Sequence, residues 1–324
     1  MQQLEQPGPN QAVRHMPDVN AAAGRDLCVI FNPGAGAKDG AQTRASLEEW
    51  LRDHPGRSDL KQIGEGSDIV EETRRAMDEG YGTIVAAGGD GTICAVASQL
   101  KGTDHVMGVL PLGTFNYFAR GLGIPEDPDE AMAVIRGGQT APVSVGEVNG
   151  RTFLNNASLG AYPAILDQRE GVYRRWGRSR IAAYWSVIVA LVNFTNPLTM
   201  RIVVDGEVRR MRSPLAFVAN SAYQLEQFEL EGADHVRNGR FALYVAADHG
   251  RLGLVRHALM LANRSMQVGR DVELIGGRDI VIETRRSKNL IARDGEKEVM
   301  TAPLHFQLRR DALTVIVPAS DGGA

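Results

Sequence analysis

The chain has 324 residues, of which 43% are apolar and 23% are charged, a composition typical of a globular protein large enough for two domains. Its formal net charge of -3 excludes the basic surplus typical of nucleic-acid-binding proteins, so we expect no nucleic acid partner. The only cysteines, Cys28 and Cys94, exclude a disulfide framework and a four-cysteine zinc site, and their small number is typical of a protein of the reducing cytoplasm.

Residues 1–24 are polar and rich in Gln, Asn, Pro and Ala, which predicts a flexible tail rather than a signal peptide. The longest apolar run, Ile181 to Phe194, is shorter than the ~20 residues that a membrane-spanning helix needs. It follows a basic stretch from Arg169 to Arg180. This combination is typical of a buried helix behind a solvated basic segment, and also of a helix that rests on an anionic membrane. We therefore expect a protein that is not integral to a membrane, with peripheral contact as an open alternative.

The N-terminal part of the chain alternates between strand and helix patterns. Leu47, Trp50 and Leu51 recur at helical spacing, and a second helix is predicted to start at Asp68. Three apolar runs predict buried strands that end in glycine-rich turns: 27–31 before Asn32-Pro33-Gly34, 83–87 before Gly88-Gly89-Asp90-Gly91-Thr92, and 106–110 before Pro111-Leu112-Gly113-Thr114. Strands alternating with helices predict a doubly wound parallel sheet. Because ligands bind at the carboxyl ends of such strands, we expect the three turns to converge on one crevice.

The pattern changes after about residue 140, where β-rich segments are separated by turn dipeptides. Asn149-Gly150, Asp205-Gly206 and Asp294-Gly295 are each typical of a tight β-hairpin. We therefore predict an α/β fold with a nucleotide-binding domain over 25–142 and a mainly antiparallel, β-rich second domain over 143–324. The C-terminal segment of the second domain can pack back on the first.

The segment Gly88 to Thr92 has the chemistry of a phosphate-binding loop. Glycines at the end of a strand let backbone amides approach a polyphosphate, and a helix predicted to start near Thr92 would direct its positive dipole end at the same place. Asp90 could hold Mg²⁺, which bridges phosphates. The same residues are also compatible with a plain tight turn, and the two best-known phosphate-loop patterns are absent.

Several segments taken together resemble one known family, and the resemblance covers nearly the whole chain after the tail. The segments are Asn32-Pro33-Gly34-Ala35-Gly36, Gly88 to Thr92, Pro111 to Arg120, Phe153-Leu154-Asn155-Asn156 and Asp294-Gly295-Glu296. In this order they resemble the bacterial diacylglycerol kinase-like lipid kinases, whose relatives include sphingosine kinases and, more distantly, NAD kinases.

The resemblance implies an ATP- and Mg²⁺-dependent kinase that acts on a lipid substrate at a membrane surface. We expect a cytoplasmic protein, with peripheral contact at the inner membrane face as an open alternative. Glu296 would be the general base, with Asp294 beside it, and Asp90 would act through Mg²⁺ or orient the attacking hydroxyl. The residues implied to line the ATP site are Asn32, Gly88, Gly89, Asp90, Gly91, Thr92 and Thr114. The residues alone favour a hairpin turn with a surface carboxylate at Asp294-Gly295-Glu296, so the catalytic role there comes from the resemblance.

The chain departs from the family at three places. Cys94-Ala95 stands where the family has Asn-Glu, and Tyr117 replaces an Asp. Bacterial members bind a structural Mg²⁺ in the second domain through an Asp-Gly turn, and the matching stretch here, His235 to Arg240, has Asn238-Gly239. Asn238 keeps a carbonyl oxygen for this second implied metal site but attracts a divalent cation more weakly than a carboxylate.

Two alternatives stay open. A soluble-substrate kinase of the NAD kinase type shares the Gly-Gly-Asp-Gly loop, although Asn32-Pro33 and the long third motif favour the lipid branch. A catalytically weak relative that binds nucleotide or lipid as a sensor is supported by the missing carboxylates at Tyr117 and Asn238. The residues also leave open whether the lipid is diacylglycerol, a sphingosine-like base or phosphatidylglycerol, and exposed edge strands could pair two copies into a homodimer.

Overall fold

A computed structural model of the chain describes residues 26–35, 40–64, 68–137, 139–160, 197–248, 260 and 268–319. The predicted tail over 1–24 and the basic and apolar segments over 169–194 lie outside the described residues. No helix in the described ranges is long and apolar enough to cross a membrane.

The first domain alternates strands and helices as the sequence predicts. Its elements are β1 (Leu27–Phe31), a 3-10 turn (Pro33–Ala35), α1 (Gly40–Arg52), β2 (Ser58–Gln62), α2 (Ile69–Asp78), β3 (Thr83–Gly88), α3 (Asp90–Leu100), β4 (Val106–Pro111), α4 (Tyr117–Gly121) and α5 (Pro128–Gly137). The carboxylate of Asp68 caps α2 by accepting from the backbone N of Val70 at 2.8 Å. Helix α3 begins two residues before the predicted start at Thr92, because Gly89 takes the N-cap position.

The second part of the chain consists mainly of strands. Its elements are β5 (Thr140–Val148), β6 (Arg151–Phe153), β7 (Asn156–Gly160), β8 (Leu198–Val204), β9 (Glu207–Ser213), β10 (Leu215–Ala219), α6 (Ala222–Gln227), α7 (Ala233–Arg237), β11 (Phe241–Ala246), β12 (Val272–Gly277), β13 (Asp279–Thr284), β14 (Lys288–Arg293), β15 (Glu296–Thr301) and β16 (Leu304–Ile316). The three predicted hairpin turns join β5 to β6, β8 to β9 and β14 to β15. Both residues of each turn have positive φ, which Asn, Asp and Gly adopt most readily. The predicted fold class is confirmed.

The strands form two sheets, and one of them extends through both domains. In the larger sheet the order is β2-β1-β3-β4-β16-β13-β8-β9, with β5 beside β16 and β6 beside β5. The pairs from β2 to β4, and the pair β4–β16, are parallel. The first half of β16 pairs with β13 and its second half with β4, so this strand belongs to both domains. Strand β5 runs through residue 142, where the sequence pattern placed the domain boundary.

The smaller sheet is antiparallel, in the order β12-β11-β10-β7-β14-β15. It packs against the second-domain part of the larger sheet through a buried core that includes Phe153, Phe241 and Phe306. Phe153 stacks on Phe241 at 5.6 Å between ring centroids. Gly146 makes room for this ring, because a Cβ there would lie 2.4 Å from the Phe153 ring. A separate core covers the parallel sheet of the first domain.

Candidate active site

The turns that follow β1, β3 and β4 lie in direct contact. The side-chain Nδ2 of Asn32 donates to Oγ1 of Thr92 at 3.0 Å. A Cβ on Gly113 would lie 2.6 Å from the Cα of Gly89, closer than real side chains approach backbone. Glycine at 113 is therefore required for the turns after β3 and β4 to meet, and the predicted convergence at the carboxyl ends of the strands is observed.

The N-terminus of α3 is the natural anion-binding position at this meeting point. Its N-cap, Gly89, has an extended backbone and no side chain to cap the helix. The first-turn N–H groups are thus left for a ligand, and the helix dipole favours negative charge there. The helix is 11 residues long, and Asp90 is the only acidic residue in its first turn.

Asn116 fixes the shape of the turn after β4. It is 2% exposed, with φ of 50° in the left-handed region. Its side chain accepts from the backbone N of Gly113 and donates to the Gly113 carbonyl, each at 3.0 Å. A further bond from Nδ2 reaches Oε1 of Glu126 at 3.0 Å. Thr114 is left exposed on the outside of the turn, next to Gly113.

The second domain contributes a carboxylate to the N-terminus of α3. The β14–β15 hairpin turns at Asp294 and Gly295, with φ of 45° and 89°, and pairs Arg293 with Glu296. This turn extends the exposed side chain of Glu296 towards α3. A Cβ on Gly91 would lie 3.3 Å from Oε1 of Glu296, so the absence of a side chain at 91 lets the carboxylate approach the helix backbone.

Asp294 holds this hairpin against the rest of the second domain. Its carboxylate accepts backbone N–H bonds from Leu154 at 2.7 Å, Asn155 at 2.8 Å and Asn156 at 3.0 Å. Burial raises the pKa of Asp294, while these backbone donors act in the opposite direction. Since both oxygens are occupied by backbone donors, the carboxylate positions the turn that carries Glu296, and the catalytic role predicted for Asp294 stays a prediction.

Asp90 and Cys94 lie on the side of α3 that faces this hairpin. Burial raises the pKa of Asp90, the nearby charge of Asp294 raises it further, and a bond from the backbone N of Phe118 (3.5 Å) opposes both. Burial, together with the charge of Asp294 and a hydrogen bond to it, also raises the pKa of the Cys94 thiol. These surroundings disfavour the thiolate form of Cys94, despite its place near a helix start.

Tyr117, which replaces the family's Asp, makes an aromatic contact between the domains. Its ring is parallel to that of Phe115, with centroids 5.5 Å apart, and lies 6.4 Å from the ring of Phe228 in the second domain. Phe115 is 49% exposed and Phe228 38%, so the contact lies at the surface. Tyr117 thus makes an aromatic contact at the position where the resemblance implies an Asp carboxylate.

The turn over 235–240, which the resemblance assigns to a structural Mg²⁺, contains no acidic side chain of its own. Asn238 ends α7, and its Nδ2 donates to the carbonyl of Asp234 at 2.8 Å. The Asp234 carboxylate pairs with Arg237 at 3.3 Å. Within the described residues no group of three His, Cys, Asp or Glu side chains could hold a metal ion.

The structure brings most of the predicted site residues together and places one elsewhere. Those that meet at the N-terminus of α3 are Asn32, Gly88, Gly89, Asp90, Gly91, Thr92, Asp294 and Glu296, with Thr114 beside them. Asn238 lies apart, on α7. The sequence reasoning gave no role to Asn116 or to the backbone of 154–156. Asparagine is among the residues that tolerate a left-handed backbone, which is the only local signal for Asn116.

Comparisons with known proteins identify both parts of the chain. The model of the diacylglycerol kinase catalytic domain matches residues 26–148, and that of the YegS C-terminal NAD kinase beta sandwich-like domain matches residues 167–317. A "Probable lipid kinase YegS-like" protein of Pseudomonas aeruginosa is 49% identical over 30% of this chain and 32% of its own length. A "Diacylglycerol kinase" of Staphylococcus aureus (strain JH9) is 30% identical over 61% of this chain and 62% of its own length. The matches thus span less than two thirds of either relative.

Solved structures agree on the fold. A crystal structure of a protein from Bacillus anthracis str. Sterne matches with a TM-score of 0.71 at 21% identity, over 91% of this chain and 98% of the other. A second, described as a diacylglycerol kinase of the same organism, matches with a TM-score of 0.68 at 21% identity over the same shares. Since the two domain models match in order and together cover most of the described residues, the chain belongs to the diacylglycerol kinase-like lipid kinase family.

Proposed function

We propose that the chain is a kinase that transfers the γ-phosphoryl group of ATP to a hydroxyl group of a lipid such as diacylglycerol. The observation that carries this proposal is the position of Glu296, whose carboxylate lies 3.3 Å from the place of a Cβ on Gly91, at the uncapped N-terminus of α3. A free carboxylate next to an anion-binding helix end can accept the proton of a hydroxyl that attacks a bound phosphate.

The residues present fit a Mg²⁺-bound nucleotide. The glycines at 88, 89, 91 and 113 leave the backbone open to phosphate oxygens, and Asn32 and Thr92 border the same place. Asp90 would hold the Mg²⁺, since this cation is usually bound by one or two carboxylates together with phosphates. When bound, the cation would neutralise the charge that develops on the phosphates.

The proposed reaction needs a proton acceptor and an in-line approach. The lipid oxygen forms a bond to the γ-phosphorus, the bond from that phosphorus to the bridging β–γ oxygen breaks, and ADP leaves. Glu296 takes the proton of the lipid hydroxyl. Because Glu296 comes from the second domain and the glycine turns from the first, we expect the lipid to approach from the second domain. The names of the curated relatives, a diacylglycerol kinase and a lipid kinase, support a lipid acceptor.

The test is transfer of label from γ-labelled ATP, with Mg²⁺, into a total lipid extract presented in mixed micelles. Glu296→Gln removes the proton acceptor and is expected to lower transfer by about 100-fold or more. Glu283→Gln is the matched control, because Glu283 pairs with Arg201 on the surface at 2.7 Å and has no contact with the site. Its activity should equal that of the parent.

Three results would contradict the proposal. Labelled NADP⁺ formed when NAD⁺ is offered as the acceptor, without any labelled lipid, would favour the NAD kinase alternative. Measurable ATP binding without any labelled acceptor would favour the sensor alternative, with Tyr117→Asp as the variant to assay next. Full transfer by Glu296→Gln would remove the role of Glu296.

A further inference from the structure

Three arginine side chains gather around the turn that follows Asn238. Nε of Arg278 donates to the carbonyl of Gly239 at 3.3 Å. Nη2 of Arg310 lies 2.8 Å from the place of a Cβ on Gly239, whose φ of 65° is left-handed. Nη2 of Arg240 donates to the carbonyl of Gly276 at 2.7 Å. Arg240 precedes β11, Arg278 follows β12 and Arg310 lies within β16, so the fold itself brings together side chains that are far apart in the sequence.

Two of these groups, those of Arg240 and Arg278, line a concavity of about 340 Å³ together with Asp205. Among the described residues, Asp205 is the one carboxylate that lines it. Its Oδ1 already accepts from the backbone N of Arg278 at 2.9 Å and of Asp279 at 3.0 Å, and its Oδ2 lies 3.4 Å from Arg240. Burial would raise the pKa of Asp205, but the backbone donors and the two arginines lower it on balance, so the group is an anion at neutral pH.

The local charge is positive. Asp279, the residue after Arg278, pairs with His305 at 2.9 Å. Within the described residues, the ion pair of Arg240 with Asp205 is the only one that the three arginines make. One committed carboxylate therefore lies beside the guanidinium groups of Arg240 and Arg278, and the Arg310 guanidinium lies next to Gly239. A bound anion would reduce the repulsion among the three cations. The planar donor fork of arginine matches phosphate oxygens in pairs.

The same charges oppose a divalent cation at this turn. A structural Mg²⁺ is attracted most strongly by carboxylates, and Asn238 offers only a neutral amide oxygen, since its Nδ2 donates to the carbonyl of Asp234. We infer that the turn 238–240, with Arg240, Arg278 and Arg310, binds a phosphate group, from either a free phosphate compound or the headgroup of a phospholipid, in place of the metal ion.

This site is separate from the candidate active site. Arg240 precedes β11 and Arg278 follows β12, at the opposite edge of the smaller sheet from the β14–β15 hairpin. Five strand spacings separate β12 from β15, which corresponds to roughly 24 Å. An anion bound here would leave Glu296 unobstructed, so the inference goes beyond the proposed function and can hold or fail independently of it.

The test measures inorganic phosphate binding by calorimetry, with the full chain, no nucleotide and constant ionic strength. Arg278→Gln/Arg310→Gln should weaken binding at this site by roughly tenfold or more, since it removes charge-assisted hydrogen bonds. The matched control is Arg44→Gln/Arg201→Gln, which makes the same change in charge at exposed arginines that pair with Glu48 and Glu283. Phosphate bound at the glycine turns would persist in all three proteins and would not produce a difference. The single variant Arg310→Gln should shift binding in the same direction if the double variant folds poorly.

A second arm identifies the source of the phosphate. Sedimentation with phosphatidylcholine vesicles, with and without phosphatidic acid, is compared for the same three proteins. If the parent and the control bind the phosphatidic acid vesicles and only the site variant does not, the bound phosphate belongs to a lipid headgroup. Phosphate binding without vesicle binding would assign a free phosphate compound.

Two results would overturn the inference. One is equal phosphate and vesicle binding by the parent, the site variant and the control. The other is a rise in the unfolding temperature when Mg²⁺ alone is added. If EDTA reverses this rise and Asn238→Ala abolishes it, a cation binds at the turn. Lipid phosphorylation by Arg278→Gln/Arg310→Gln is assayed separately. This assay tests the proposed function independently of the phosphate-binding result.

Discussion

Asp294→Ala leaves the backbone N–H groups of Leu154, Asn155 and Asn156 without the acceptor that now lies 2.7–3.0 Å away. Each buried N–H without a partner costs about 1–3 kcal/mol, so three of them lower the free energy of unfolding by about 3 kcal/mol or more. Relief from burying a charge offsets part of this loss. At about 2 °C per kcal/mol for a chain of this size, the unfolding temperature should fall by about 6 °C.

The assay is urea unfolding followed by tryptophan fluorescence, with Asp311→Ala as the control. Asp311 has a similar left-handed φ of 49° but is exposed, so its replacement costs the backbone preference alone, about 1 kcal/mol. Asp294→Asn keeps one acceptor oxygen, so its unfolding midpoint should lie between those of Asp294→Ala and Asp311→Ala. Phosphoryl transfer by Asp294→Ala should fall as well, at a temperature where the protein is still folded, because the turn that carries Glu296 loses its attachment. Equal midpoints for Asp294→Ala and Asp311→Ala would refute the reasoning.

Two further substitutions test the first-domain part of the site. Asp90→Asn should abolish transfer yet raise the unfolding temperature at pH 7.5. The pKa of Asp90 is raised in the folded state, so the parent protein is most stable where Asp90 is protonated and loses stability as pH rises through that pKa. The difference in unfolding temperature between the variant and the parent should therefore shrink towards pH 4. An unfolding temperature below that of the parent at pH 7.5 would contradict this. Gly113→Ala places a Cβ 2.6 Å from the Cα of Gly89 and should cost about 1–3 kcal/mol together with ATP affinity, measured by calorimetry. Gly137→Ala, where a Cβ meets nothing within 4 Å, is its control and should bind ATP like the parent.

Local sequence patterns were sufficient to predict the elements whose backbone conformation depends mainly on their own residues. The Asn-Gly and Asp-Gly pairs at 149, 205 and 294 predicted hairpins because their backbones adopt positive φ, and the buried runs at 27–31 and 83–87 predicted strands. The central place of β16 was not predictable. Its position depends on its pairing with β4, which brings together segments that are distant in the sequence.

Only part of the candidate site could be predicted from local sequence patterns. The glycine turns could be placed together because they follow parallel strands, whereas Glu296 needed the family resemblance. The anchoring of Asp294 could not be inferred, since its partners are backbone N–H groups that any residue supplies. The arginines at 240, 278 and 310 are likewise unrelated in sequence, and only the fold shows that they meet.

The shared strand β16 constrains the order in which the protein folds during synthesis. Strand β4 has β3 on one side and β16 on the other, and β16 is made last of all the described strands. From the synthesis of Pro111 until that of Thr314 and Val315, the residues of β16 that pair with β4, this strand therefore remains an open edge in the nascent chain, a risk for pairing with other chains. Neither domain can close its sheet alone, so the two complete their folding in one late step with high contact order. We expect the nascent chain to need protection from aggregation until its final strand is inserted.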